Sequence, residues 1–458
     1  MIENDAFKLL LINLFHLNPD DIANILCTTF NKMMVLVVTL ADKHQACPYC
    51  GFTAPKIKEY VTKEITHSAL TTQKCIIKYR ARRYKCSCCG KTYYEFNPFV
   101  FKSQKISILT VHNILKDLKD FNETFTSVAR RYHVSPTSVS TIFDNHVDIG
   151  RNPLPEIINF DEVYAFKSEK SKYVCVLLDF KKQIPVDVLP NRKKEYLLNY
   201  FQKIPLEERK KVKYACSDMY EVYRDVVHKV FPESKHLLDY FHLSQDFHKK
   251  MNEVRIKVMK GYKDNKASDE YYLLKKFNWL LFKNPEDEDK YGRLFDVERE
   301  RKYNSHFKSY MNYYDLRKKL LEINNDLTIC YSLKLELVDF YSKSTIDNAK
   351  VNLENLIRSC IDTNIDEMIA FSNNLINWKQ EIINSFTIVG TEYKVEADKG
   401  QVVVCNKKVN NAIIENRNKI IKCIKNNANG YTNWLRFRNR VMYVLDPNAT
   451  FSLEPREK

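Results

Sequence analysis

The chain has 458 residues, 44% of them apolar, more than one hydrophobic core organises, so two to four domains are expected. No run approaches the roughly 20 apolar residues of a membrane span, and the N-terminus lacks the basic-then-apolar order of a signal peptide; a soluble, cytoplasmic protein is the expectation. The formal net charge of +16 is uneven: residues 56–105 hold twelve Lys/Arg against three Glu, and residues 405–440 hold nine against Glu415 alone, a balance suited to a polyanion such as nucleic acid.

In chain order, residues 1–40 read as a helix or two followed by a strand at 33–40, "MMVLVVTL". Two Cys-x-x-Cys knuckles follow, Cys47/Cys50 and Cys86/Cys89, each succeeded by a glycine, Gly51 and Gly90. Glycine accepts the positive φ of a tight turn, and four thiolates so spaced can complete a tetrahedral structural zinc site. A redox pair or plain core cysteines are the alternatives, and Cys88 is a rival ligand that breaks the symmetric spacing. The metal would fold a small basic module that touches DNA. Cys27, Cys75, Cys175, Cys216, Cys330, Cys360, Cys405 and Cys423 read as small buried hydrophobes, since an intracellular chain is not expected to carry a disulfide framework.

Residues 106–147 carry helical periodicity. "FTSVARRYHVSPTSVSTIFDNHV" has the form of a helix-turn-helix: Val128, Ala129 and Tyr132 inward, Val134 at the turn, Ser135 as N-cap, Pro136 at the first helical position, and Val139, Ile142 and Phe143 anchoring the second helix. Thr137, Ser138, Ser140, Thr141 and Asn145 are then expected on the outside, able to enter a major groove; an ordinary helical hairpin is the alternative.

From 154 to 258 the order reads strand (156–166), strand (172–180), strand (184–189), helix (193–203), strand (212–217), helix (219–230), strand (235–239), helix (241–258), which predicts a mixed sheet with helices on its faces, the element order of an RNase H-like domain. Residues 259–385 read as helical, with Trp279 and Trp378 as core anchors, and 387–405 as a short hairpin.

The stretch "IINFDEVYAF" (157–166) places Asp161 and Glu162 in an apolar strand. An unpaired carboxylate in the middle of a sheet costs several kcal/mol, so a cation is its natural partner. The fourth strand runs into Asp218, and parallel neighbours bring their carboxyl ends to one edge, where open α/β sheets place their sites. Two hard oxygen ligands suit Mg²⁺ or Mn²⁺. A third acid must come from later in the chain: Glu354, Glu367 and Glu396 are available, and Glu415 stands alone in a basic, amide-rich field with Lys419 and Lys422 on its own helical face. A metal ligand amid phosphate contacts and a plain Glu415–Lys419 salt bridge on a solvated helix both fit that pattern.

The motifs "CPYCG", "RRYKCSCCG", "NFDEVY", "CSDMYEVY", "LLDYFH" and "NNAIIENRNKIIKCIKNNANGYTNWLRFRNRV" together resemble the DDE transposases of bacterial insertion sequences of the ISL3 family, over nearly the whole chain. The resemblance implies a multidomain α+β protein: an N-terminal helical segment and zinc ribbon (1–105), a helix-turn-helix (106–150), an RNase H-like catalytic domain (151–258 and 401–458) and a mainly helical insertion (259–400). It implies a catalytic, metal-binding triad of Asp161, Asp218 and Glu415, with Asp239 as an extra ligand and His242 as a phosphate contact or positioning group. The implied chemistry is two-metal phosphoryl transfer at transposon ends, with DNA as partner and a homo-oligomer on it. A non-catalytic DNA-binding regulator of the same fold is the alternative.

Overall fold

The computed structural model describes residues 2–43, 46–53, 55–101, 104–166, 171–395 and 402–456; Glu396 and the side chain of Cys405 lie outside the described parts. Helix α1 (Ile2–Leu14) precedes strands β1 (Ile22–Phe30), β2 (Met33–Leu40), β3 (Lys56–Thr66), β4 (Cys75–Lys85) and β5 (Thr92–Tyr94). They form one sheet in the order β1-β2-β4-β3, with β5 on β4. After α1 the only further helical turn before residue 33 among the described residues is the 3-10 turn Pro19–Asp21; "IANILCTTF" is β1, a strand the sequence reading did not include. It pairs antiparallel with β2 across Asn31 and Lys32, whose φ values of 48° and 61° give the two-residue turn that matches strand twist. Leu11 and Ile12 of α1, with Phe15 just after it, close over Ile25, Leu36 and Ile77.

Helices α2 (Ile108–Asp117), α3 (Phe125–Arg131) and α4 (Pro136–His146) follow, each started by a hydroxyl cap, Ser107, Thr124 and Ser135. Val128, Ala129, Tyr132, Val139, Ile142 and Phe143 share one core, with Val134 packed against it. On the outer face the expectation needs correction. Thr137 and Thr141 are exposed, but Ser138, Ser140 and Asn145 are half-buried: Ser138 Oγ turns back to Ser135 Oγ at 2.8 Å and Ser140 Oγ donates to the Thr137 carbonyl at 3.0 Å. Small hydroxyls on a helix satisfy themselves on nearby backbone and caps before they reach solvent.

The second sheet contains β6 (Ile157–Val163), β7 (Val174–Asp179), β8 (Pro185–Leu189), β9 (Tyr214–Ser217) and β10 (Lys235–Leu238), interleaved with α5 (Lys194–Gln202), α6 (Leu206–Arg209) and α7 (Glu221–Val230). Its order is β10-β9-β6-β7-β8, so β6 is central. Strands β6, β9 and β10 run parallel, while β7 and β8 are antiparallel additions. α8 (Tyr240–Lys260) then leads into α9 (Asp269–Lys276), the hairpins β11/β12 (Glu288–Asp289, Gly292–Arg293) and β13/β14 (Lys302–Asn304, Ser309–Met311), and α10 (Tyr313–Glu322) to α14 through α11 (Asn325–Lys343), α12 (Ala349–Asp362), α13 (Asp366–Asn377) and α14 (Lys379–Asn384). The two small hairpins interrupt what the sequence reads as a continuous helical stretch. The hairpin β15 (Ile388–Val395)/β16 (Val402–Lys408) returns the chain to α15 (Ala412–Asn427) and α16 (Trp434–Leu445).

Burial on both faces explains why β6 and β7 are nearly continuous apolar runs. Phe160, Leu177 and Ala215 pack under Leu197, Tyr223 and Val227 of α5 and α7, whereas Val163, Val176 and Val188 pack under Ile414, Ile421 and Phe437 of α15 and α16. α8 is 21 residues long, about 30 Å. Its first turn abuts the sheet, and Phe247, Met251 and Val254 further along enter the insertion core with Trp378.

Arg440 of α16 is fully buried and its Nη2 donates to the carbonyls of Asp120 and Glu123 at 2.8 Å each. Arg440→Ala leaves a cavity and takes the guanidinium from the Glu123 carbonyl and from the Asp120 carbonyl, which keeps only the Glu123 N–H at 3.2 Å, an expected loss of about 3 kcal/mol. Urea unfolding read by the emission of Trp434, with Trp279 and Trp378 replaced by Phe in both proteins, checks it; a change below ~0.5 kcal/mol, the scale of an ordinary surface substitution, would mean that water replaces the guanidinium.

Candidate active site and cysteine cluster

Three acids stand at the carboxyl ends of the three parallel strands: Asp161 within β6, Asp218 just after β9 and Asp239 just after β10. The same sheet edge receives α15, whose first turn carries Glu415. Each of the last three also sits at or just before a helix start: Asp218 precedes α7, Asp239 is the N-cap of α8, and Glu415 is in the first turn of α15. Helix N-termini favour negative charge. Ligand atoms of Asp239, His242 and Glu415 lie within 4.8 Å of one another, and His242 Nε2 is 3.8 Å from Asp239 Oδ2.

Amides hold the acids in place. Asn418, one turn beyond Glu415, donates from Nδ2 to Asp161 Oδ2 at 2.7 Å. The backbone N–H of Asn411 donates to Asp239 Oδ1 at 3.2 Å, and Asn411 Nδ2 donates to the Phe160 carbonyl at 3.2 Å. Asn159 in turn donates to Asn411 Oδ1 at 2.6 Å. α15 is thereby bonded to the sheet edge at two points, one on each side of Glu415.

Burial, then the Asp218 carboxylate, pushes the Asp161 carboxyl up to about 7, with Glu415 and Asp239 adding to the shift and His242 opposing it. Asp218 and Asp239 are also raised, burial being the main cause in both and His242 working against it. Among the described residues, Asp239 Oδ2 and His242 Nε2 are buried with no hydrogen-bond partner. Crowded carboxylates, an imidazole and orphaned ligand atoms in one place fit a divalent cation with hard donors.

The sign of the pH dependence follows. Asp161 has a folded pKa near 7 against an ordinary 3.8, so protonation stabilises the fold, fully below the lower value, and that contribution is lost as pH rises through about 7. A cation competes with the proton. The rise in melting temperature caused by Mn²⁺ is therefore expected to be larger at pH 8 than at pH 5.5; equal rises would show that no buried carboxyl deprotonates on binding.

The two knuckles are near copies. Cys47 N–H bonds the Phe52 carbonyl and Gly51 N–H the Cys47 carbonyl; Cys86 N–H bonds the Lys91 carbonyl and Gly90 N–H the Cys86 carbonyl. Gly51 and Gly90 have φ of 76° and 71°, the conformation their sequence position predicts. Cys47 Sγ is 3.7 Å from Cys89 Sγ and Cys50 Sγ 3.5 Å from Cys86 Sγ, so all four sulfurs converge, while Cys88 is exposed and outside the group. The backbone N–H of Cys89 on its sulfur is the leading cause that lowers the Cys86 thiol to about 7. A four-cysteine cluster of this kind is compatible with zinc.

Asp161 and Asp218 share the sheet edge with Glu415, Asp239 and His242, and the three residues whose ligand atoms come within 4.8 Å of one another are Glu415 and the two expected as auxiliaries, Asp239 and His242. Lys419 and Lys422 are exposed on α15, and Lys419 Nζ lies 3.3 Å from Asn416 Oδ1 rather than in an ion pair with Glu415. Glu354 on α12 pairs with Lys379 on α14, and Glu367 on α13 faces Lys257 on α8. Of the scattered cysteines, Cys423 is exposed on α15 and Cys27 half-buried on the edge strand β1, because a side chain on an amphipathic helix or an edge strand takes the face its position dictates. Asn159, Asn411 and Asn418 were not anticipated. Their only sequence signal is the three-residue spacing of Asn418 from Glu415, which shares its helical face.

The protein is thus a mixed, multidomain α+β chain whose central sheet gathers carboxylates at one edge, preceded by a four-cysteine cluster. Residues 158–397 match the ISL3-type DDE transposase family, described as "Transposase"; the chain belongs to that family. The match includes Asp161, Asp218 and Asp239 and ends before Glu415. Over 409 residues the chain is 19% identical to the transposase for insertion sequence element IS1001 of Bordetella parapertussis, covering 89% of this chain and 90% of that protein. No helix among the described residues is long and apolar enough to cross a membrane.

Proposed function

We propose that this transposase binds the terminal inverted repeats of an insertion sequence and cuts and joins DNA strands at the edge of its central sheet. The observation that carries the proposal is the convergence of Asp161, Asp218, Asp239 and Glu415 at the carboxyl ends of parallel strands. The strand order third-second-first-fourth-fifth, with the first three antiparallel, supports an RNase H-like catalytic domain formed by residues 151–258 and 401–458 around the insertion 259–400. Asp161, Asp218 and Glu415 would hold divalent cations, Mg²⁺ or Mn²⁺, with Asp239 and His242 beside them. Two such ions would supply Lewis-acid stabilisation of the scissile phosphate and a nucleophile available at neutral pH.

The chain's own groups prepare that site. Asn418 holds Oδ2 of Asp161 and the Glu162 N–H, at 2.8 Å, its Oδ1. The N–H of Asn411 holds Oδ1 of Asp239 and leaves Oδ2 towards the cluster. His242 Nε2, which has no hydrogen-bond partner among the described residues, would donate to a phosphate oxygen. Residues 1–105, with zinc on Cys47, Cys50, Cys86 and Cys89, and the helix-turn-helix of 106–150 would grip the repeat. Thr137 and Thr141 face outward to read base edges, Ser138 and Asn145 stand beside them, and Lys419 and Lys422 contact phosphates nearer the cut. Two ends in one reaction call for a homo-oligomer on DNA.

The test is a duplex carrying the inverted repeats that bracket the gene, incubated with the full chain and Mg²⁺. Cleavage at the repeat boundary, followed by joining of the freed 3′-hydroxyl to a second DNA, is expected. Binding without cleavage would make the protein a regulator, and cleavage without joining a nuclease.

A further inference from the structure

Glu162 follows Asp161 in β6 and therefore points to the opposite face of the sheet. There one of its oxygens pairs with Nη1 of Arg192, in the loop before α5, and the other accepts from the Tyr223 hydroxyl at 3.2 Å. The Arg192 guanidinium also lies over two rings, 4.7 Å from the Tyr173 centroid and 4.6 Å from that of Tyr220. An arginine side chain carries about 2 kcal/mol of rotamer entropy, and here a carboxylate and two aromatic faces have already fixed it. Among the described residues Glu162 engages Nη1 alone, which leaves the other donors of the fork for a second partner.

That partner would sit in an open groove of about 350 Å³ lined by Arg192, Asp218, Tyr220, His242, Gln245 and Lys249. The groove begins at a candidate catalytic acid and carries two permanent cations, Arg192 and Lys249. Its other acid, Asp246, accepts a hydrogen bond from Asn374 at 2.8 Å. An arginine this near Asp218 would ordinarily collapse onto the carboxylate; Glu162 and the tyrosines hold it where its free donors meet the groove. A planar fork of donors matches the paired oxygens of a phosphodiester.

We propose that Arg192 is a phosphate-binding residue that clamps the DNA backbone beside the scissile linkage, and that Glu162 is the positioning residue that aims it. The proposal rests on the reading of the neighbouring carboxylates as the cutting centre and adds to it the contact that aligns the strand.

The probe is the end duplex with single methylphosphonate linkages, which remove one backbone charge at a time, scanned across the repeat boundary. Equilibrium binding is measured without divalent metal for wild type, Arg192→Ala, Arg192→Lys and Glu162→Gln, with thermal melts to confirm folding. Arg192→Ala is expected to weaken binding about 10-fold, as for loss of one charge-assisted contact, and to flatten the salt slope by about one. One neutral linkage is expected to weaken wild type equally and Arg192→Ala no further, with Arg192→Lys retaining part of the coupling and Glu162→Gln losing part. Independent, multiplicative losses at every linkage would overturn the clamp, as would wild-type binding by Arg192→Ala. If the coupling is present but the wild type cuts no end, the cutting centre falls and the clamp stands.

Discussion

Asp161→Asn is expected to lower strand cleavage by at least ~10³-fold, because it removes several kcal/mol of transition-state charge stabilisation, while binding of the end duplex stays close to that of wild type. The same substitution is expected to raise the melting temperature of the metal-free protein at pH 8. Burial and Asp218 hold the Asp161 carboxyl near 7, so at pH 8 the fold carries an ionised group it disfavours. Asparagine keeps the shape and an acceptor for Asn418 Nδ2 without the charge, and gives up only the bond that the other oxygen accepts from the Glu162 N–H, about 1 kcal/mol. Loss of activity with gain of stability separates a functional residue from a structural one, since a residue kept for packing would lose both. Glu415→Gln should lose cleavage alike, because α15 is bonded to the sheet edge at Asn411 and Asn418 and does not depend on the glutamate for its place. Cleavage by Asp161→Asn within tenfold of wild type would remove the carboxylate centre from the mechanism.

Cys86→Ser is expected to unfold the knuckle region and to lower binding to the inverted repeat at least ~100-fold, towards the level of non-specific DNA. Cys86 is buried beside Cys47, Tyr84 and Tyr93, a core too small to hold itself together without a metal. A strong zinc chelator on the wild type should reproduce the loss, and added Zn²⁺ should restore it. Cys88→Ser, outside the cluster, is the control and should bind normally. Normal repeat binding by Cys86→Ser would detach the cysteine cluster from DNA recognition. Because the carboxylate edge lies on a separate sheet, non-specific cleavage at high DNA concentration should persist in Cys86→Ser and be absent from Asp161→Asn.

The parts legible in sequence were those that depend on near neighbours along the chain. Gly51 and Gly90 directly after a Cys-x-x-Cys pair declare the knuckle turns, Ser135-Pro136 declares a helix start, and the apolar run around Asp161 declares a central strand. Where local pattern misled, tertiary pairing had overridden it. "IANILCTTF" has mixed polarity that suits a helix as well as a strand, and only its ladder with β2 decides for the strand. Ser138 and Asn145 have the composition of an exposed recognition face, but local hydrogen bonding and packing draw them in.

By itself the sequence determined that this chain holds a basic, cysteine-knuckled N-terminal part, a strand-rich middle with acids at strand ends, and a lone glutamate in a basic helix. Tertiary structure decided that Asp239 and His242 stand level with the others, that asparagines set the spacing of the acids, and that Glu162 turns away from Asp161 to hold Arg192. The reason is physical: turns, caps and strand periodicity are set by residues a few positions apart, whereas the contacts that space Asp161, Asp239 and Glu415 join positions some 170 to 260 residues apart, and no local pattern records them.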